Sequence, residues 1–209
     1  MKSIIPYPVS YLVSKLIFTI AFFRTPLKVY GRENIPKGSV VICSNHAHGN
    51  DPFYIVYSFP FWDKIRIMAK EEIRHMPVVG RLLDFLGIPI WVKRGQSDLG
   101  AMKLAMKTLK KGEKLLIFPE GTRHDELGEG KTGAALMAIR AKVPVLPVYI
   151  APERKHFHRV KVYFGKPFMP FTQERKPTAE DYQKATEEIM AHIAAIRDSR
   201  EEMEAQCKK

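Results

Sequence analysis

Six short apolar runs limit what this chain can become: SVVICS at 39–44, KIRIMA at 64–69, IPIWV at 88–92, KLLIF at 114–118, VPVLPVYI at 143–150 and VKVYF at 160–164. Each has the length of a strand, and helical patterns separate most of them. MPVVGRLLDFLG reads as a helix closed by Gly87, glycine being the usual residue past a helix end. SDLGAMKLAMKTLKKG puts Leu99, Met102, Met106 and Leu109 on one face, with Ser97 or Asp98 as cap and Gly112 beyond the last lysines. GAALMAIRA is a further helix, and Thr178 opens a charged C-terminal one with Ala185, Ile189 and Ile193 on one face. Strands alternating with helices predict an α/β fold. A single domain is expected, with a mostly parallel or mixed central sheet flanked by helices. The 209 residues suffice for one core, and neither repeat nor linker divides them.

The first 32 residues stand apart, with Lys2, Lys15, Arg24, Lys28 and Arg32 and no acid. Tyr7 to Phe23 is apolar almost all round, but at 17 residues it sits at the lower limit for crossing a hydrocarbon core of roughly 30 Å. Lys15 near its middle opposes spanning, and no small-residue cleavage pattern follows as a secretory signal would need. Residues 1–26 are therefore expected to form a membrane-anchoring helix dipping into one leaflet, with basic neighbours on anionic headgroups. That implies a monotopic or peripheral protein on the cytoplasmic face, and leaves 27–209 as the globular domain.

A formal charge of +12 points to acidic partners. Nucleic acid fits the charge alone, because no aromatic platform or groove-reading motif accompanies it. Two cysteines, Cys43 and Cys207, cannot build a disulfide framework, and Cys43 ends an apolar run as a buried, inert thiol would.

Chemistry concentrates after two strands. SVVICS runs into NHAHGND, and KLLIF into FPEGTR; strand C-termini are where α/β sheets place their sites, so both can meet on one rim. HAHGND suggests a binuclear zinc pattern, but Asn50 and Asp51 stand where Asp and His should be, and the other histidines are scattered. A polar turn is a second reading. The third is a His–Asp dyad: Asp51, at a helix start before Pro52, turns back to His46, fixes its tautomer and leaves the other ring nitrogen as base. No G-x-S-x-G elbow supplies a nucleophile, so the nucleophile would be a substrate hydroxyl. FPEGTR then offers backbone N–H groups and Arg123 for anionic oxygens, unless it is only a tight turn.

With these residues in hand, the chain resembles the glycerolipid acyltransferases, specifically the 1-acylglycerol-3-phosphate acyltransferases, over nearly its whole length. GRENIPKGSVVICSNHAHGNDPF resembles the family's first block, Asn-His-x₄-Asp-Pro; MAKEEIRHMPVVGRLL the segment carrying Lys70; FPEGTR the third block; and VPVLPV, after KTGA with Lys131, the fourth. The resemblance implies acyl transfer from acyl-CoA or acyl carrier protein to the 2-hydroxyl of lysophosphatidic acid, giving phosphatidic acid in phospholipid biosynthesis. His46 and Asp51 would be catalytic. Lys70, Arg94, Glu120, Gly121, Thr122, Arg123 and Lys131 would bind substrate. His48 lies where relatives often carry Ser and inherits no role, and Gly87 precedes Arg94 by seven residues where six is usual. No metal or other cofactor is implied. The expected partners are anionic membrane lipid and a lysophospholipid acceptor, with acyl carrier protein open beside acyl-CoA as the donor; nucleic acid is not among them. Other acceptors, such as glycerol-3-phosphate, another lysophospholipid or a lyso-aminolipid, stay open, as does a lipid-binding protein without turnover.

Overall fold

A computed structural model describes residues 26–93, 98–123, 127–153 and 159–207, with the helical positions Val9, Leu12, Val13, Leu16 and Ile20. Seven strands, β1 (Leu27–Tyr30), β2 (Val41–Ser44), β3 (Ile65–Lys70), β4 (Pro89–Val92), β5 (Lys114–Ile117), β6 (Val145–Ile150) and β7 (Val160–Phe164), form one sheet in the order β1-β7-β6-β2-β5-β3-β4. The five from β6 to β4 run parallel, and β7 joins β6 antiparallel with β1 parallel beside it. The sheet is thus mixed but mainly parallel.

Apolar runs become strands here because both faces of the sheet are covered. Alternate residues of one strand enter opposite layers. Val41 and Cys43 face the side covered by α4 (Leu99–Lys110), α5 (Gly133–Ala141) and α6 (Ala179–Gln206). Ile42 faces α1 (Asp51–Ser58) and, beyond the short α2 (Glu71–Arg74), Leu86 of α3 (Val79–Leu86). Burial pushes the Cys43 thiol far above its ordinary pKa, so its nucleophilic thiolate is suppressed.

Local signals match the elements. Gly87 closes α3 at φ 63°, and Asp98 caps α4 by accepting from the Ala101 N–H at 2.9 Å. Thr178 and Asp181 make a reciprocal capping box at the start of α6, whose Ala185, Ile189 and Ile193 are buried. One face differs from expectation. The side of α4 that packs on the sheet is Ala101, Ala105, Thr108 and Leu109, whereas Leu99 is exposed and Met102 and Met106 are half-buried. Alanines let the helix axis approach closely, which leaves the methionines on its flank.

The expected 1–26 anchor falls mostly outside the described residues. Of the positions that are described, Val9, Leu12, Leu16 and Ile20 are exposed, and Val13 packs on the α1-side core. Among the described residues no helix is long and apolar enough to cross a membrane.

Candidate active site

β2 lies between β5 and β6, all three parallel, with Cys43 level with both Ile117 and Pro147. The helix after β2 (α1) covers one face of the sheet and the helix after β5 (α5) covers the other. Two adjacent strands whose chains leave to opposite faces open a crevice beyond their C-terminal ends. NHAHGND and FPEGTR follow these two strands.

His46 and Asp51 meet as their spacing predicts. The His46 Nδ1–H donates to Asp51 Oδ2 at 3.2 Å, and the same oxygen accepts the Ala47 N–H at 2.9 Å and the His48 N–H at 2.7 Å. Asp51 is fully buried in the first turn of α1, while the His46 side chain retains 15% of its exposure. Three donors and a helix N-terminus complement a negative charge on this carboxylate and keep it aimed. With Nδ1 bound to Asp51, Nε2 is the nitrogen left for chemistry. Phe118 stacks on the imidazole at 4.1 Å between ring centres, so the FPEGTR loop restrains the ring from its other side.

Asn45 locks this loop to the sheet. Its amide donates to the Ile150 carbonyl at 2.9 Å and accepts the Ile150 N–H at 2.8 Å, tying the end of β2 to the end of β6. In the sequence Asn45 figures only as the first residue of the Asn-His-x₄-Asp-Pro block, because a strand-to-strand amide latch has no local signature.

The second loop folds onto the first. A Cβ on Gly49 would lie 3.0 Å from Arg123 Nη2, so the guanidinium rests against the backbone of the histidine loop. Gly121 adopts φ +70° and donates its N–H to the Phe118 carbonyl at 3.0 Å. Lys131 covers it, with Nζ 3.2 Å from where a Cβ would stand, and its own N–H bonds the Pro119 carbonyl at 2.8 Å. Here glycine is required twice over, by the left-handed backbone and by the lysine above it. Thr122 lies in the same loop, half-buried. Lys70 is the exposed end of β3; Ile67 pairs with Leu116, so Lys70 points toward the same rim. Arg94 lies outside the described residues.

Glu120 is placed differently from a surface ligand. It is 3% exposed, and neither carboxylate oxygen finds a partner among the described residues. Desolvation pushes its pKa up to about 7. His48 contributes only its backbone N–H to Asp51, and its Nδ1 is buried without a partner among the described residues.

The chain belongs to the acyltransferase family, whose model matches residues 26–151. It is 36% identical over 126 residues to a 1-acyl-sn-glycerol-3-phosphate acyltransferase of Pseudomonas aeruginosa, covering 58% of this chain and 48% of that one. With the enzyme of the same name from Bacillus subtilis it shares 29% identity over 192 residues, 88% of this chain and 94% of the other. A homologue in Borreliella burgdorferi is 33% identical across 66% of this chain and 57% of its own length. The chain thus spans about half the length of the Pseudomonas and Borreliella relatives. Among solved structures, the 1-acyl-sn-glycerophosphate (LPA) acyltransferase PlsC of Thermotoga maritima superposes with a TM-score of 0.61 at 26% identity, over 92% of this chain and 78% of that one. The mixed sheet flanked by helices is the fold the two share.

Proposed function

We propose that this protein moves a fatty acyl group from a thioester to the 2-hydroxyl of 1-acylglycerol-3-phosphate, producing phosphatidic acid. The observation that carries the reading is the His46–Asp51 bond at 3.2 Å with Arg123 laid against Gly49 of the same loop. A cation lies against the loop of the histidine–aspartate pair, and the names of the relatives describe this reaction.

His46 Nε2 takes the acceptor hydroxyl proton as the oxygen attacks the thioester carbonyl carbon. The buried Asp51 carboxylate stabilises the imidazolium that forms, as in hydrolases built on a histidine–aspartate pair. Collapse of the tetrahedral intermediate breaks the C–S bond, and the imidazolium returns its proton to the leaving thiolate. Backbone N–H groups of the two loops beyond those bonded to Asp51, Phe118 and Pro119 would stabilise the developing oxyanion. Arg123 and Lys131 hold the acceptor phosphate, with Lys70 and Arg94 completing the clamp. Fixing the acceptor this way turns an encounter into a positioned attack. The route uses no metal or redox cofactor. Residues 1–26 attach the protein to the anionic surface where the acceptor resides.

The test is product analysis by mass spectrometry with purified protein, a palmitoyl thioester and a panel of lysophosphatidic acid, glycerol-3-phosphate and other lyso-lipids. Phosphatidic acid is the expected dominant product. Arg123→Ala should raise the acceptor KM tenfold or more and the donor KM far less, since one charge-assisted contact is worth about 1.5–3 kcal/mol. A preference for another acceptor, or equal effects on both KM values, sinks the assignment.

A further inference from the structure

Away from the crevice, helices α4 and α5 leave an open groove of about 600 Å³ between them. Its floor is Met102, Met106 and Met137, with Leu99 at one end. Its walls carry five cations, Lys103, Lys107, Lys110, Lys111 and Arg140. Neither helix contains an acidic residue. Among the described residues no carboxylate lies within salt-bridge distance of any of the five.

Lysines at 103 and 107, 107 and 110, and 107 and 111 are helix-surface neighbours of like sign, which repel. Cations in the last turns of α4 and α5 offset the helix dipoles, but that does not account for Lys103, which stands before the last turn of α4. Between the cations the methionines are recessed, Met102 and Met106 half-buried and Met137 buried, and Leu99 at the end is the exposed apolar residue of the lining. A flat membrane would be met by protruding apolar side chains, whereas a groove with a flexible methionine floor fits the ridge of an amphipathic helix. At 1.5 Å per residue the groove wall formed by α4 is about 18 Å long, enough for about three turns of a partner. Val92, ending β4, is level with Lys70 at the catalytic rim, and α4 follows from there. The Leu99 end of the groove is therefore its rim end.

We propose that this groove docks an acidic amphipathic helix of the protein that carries the acyl thioester, so that the donor is protein-borne and its thioester arm reaches the rim from the Leu99 end. This rests on the acyl-transfer reading and names its donor. The occupant must be anionic on its flanks and apolar along its ridge to match cations above methionines.

The test compares full-length wild-type protein with the double variant Lys103→Glu, Lys107→Glu, both positions being solvent-exposed. Fluorescence anisotropy of a labelled acidic acyl carrier protein measures docking, and kinetics are run with palmitoyl-carrier protein and with palmitoyl-CoA. Carrier binding is expected to weaken tenfold or more in the variant, and in the wild type as salt is raised. The KM for palmitoyl-carrier should rise to match, while palmitoyl-CoA kinetics change less than twofold. Unchanged carrier binding, equal losses with both donors, or a defect only in pelleting with anionic vesicles each overturns the proposal. If the wild type turns over neither donor, the acyl-transfer reading fails, and the anisotropy comparison still decides the groove.

Discussion

His46 and His48 sit two residues apart and differ in what each touches. His46 Nδ1 engages a buried carboxylate, and His48 offers that carboxylate only a backbone N–H. General-base catalysis is worth about 10²–10⁴-fold, so His46→Ala should lower kcat at least a hundredfold with little change in acceptor binding. His48→Ala should cost far less, and a chelator should affect neither wild type nor variant. Comparable losses in both, restored by added zinc, would mean a metal site. Glu120 makes a separate prediction about pH. Its pKa stands at about 7 against an ordinary 4.5, so between those values the folded protein holds a proton that the unfolded chain has released. Stability therefore falls as pH rises through that window. Glu120→Gln cannot ionise and should lose this dependence. By urea unfolding, its stability relative to wild type should improve by up to ~3 kcal/mol between pH 4.5 and pH 8. An equal difference at both pH values would refute the uncompensated carboxyl.

Among the elements, β2 is the one on which the site depends, because its end is latched to β6 by Asn45. Asn45→Ala would strand the Ile150 N–H and carbonyl, both inside the sheet, and an unsatisfied buried group costs about 1–3 kcal/mol. The variant should lose about 2–4 kcal/mol of stability and lose kcat as well, because His46 follows directly. Activity intact beside an unfolding midpoint that has clearly dropped would show that the latch serves the fold alone. β1 carries a different lesson. LKVY has four residues, one of them lysine, and reads as no strand by itself; pairing with β7 at Leu27 to Val160 through Tyr30 to Tyr163 makes it one. Tyr30 then stacks on Tyr163 at 4.9 Å, and Lys28 sits over the Tyr30 ring.

For the molecule as a whole, the proposed attachment to a lipid surface would rest on a row of exposed apolar side chains. Val9, Leu12, Leu16 and Ile20 recur at helical spacing and are all open to solvent. Replacing Leu12 and Leu16 together with Asp should release the protein from vesicles containing phosphatidylglycerol, at little cost to stability because both side chains are mostly exposed. Activity on a vesicle-embedded acceptor should fall while activity on a short-chain soluble acceptor persists. Unchanged vesicle binding would place the attachment on another surface. Much of the rest was written in the linear chain. Apolar runs bounded by glycine and capping residues determined six of the seven strands, the longer helices and the α/β class, since periodicity and caps are local. The five-residue step from His46 to Asp51, at a helix start before Pro52, made a dyad one of three local readings, and the tertiary structure brought the two side chains together. Tertiary structure alone decided what depends on neighbours distant in sequence. It brought Arg123 against Gly49 and Phe118 onto His46, and it buried Glu120 without a partner among the described residues. It also turned the alanines of α4, not the methionines, to the sheet, because close packing rewards small residues where two surfaces must approach.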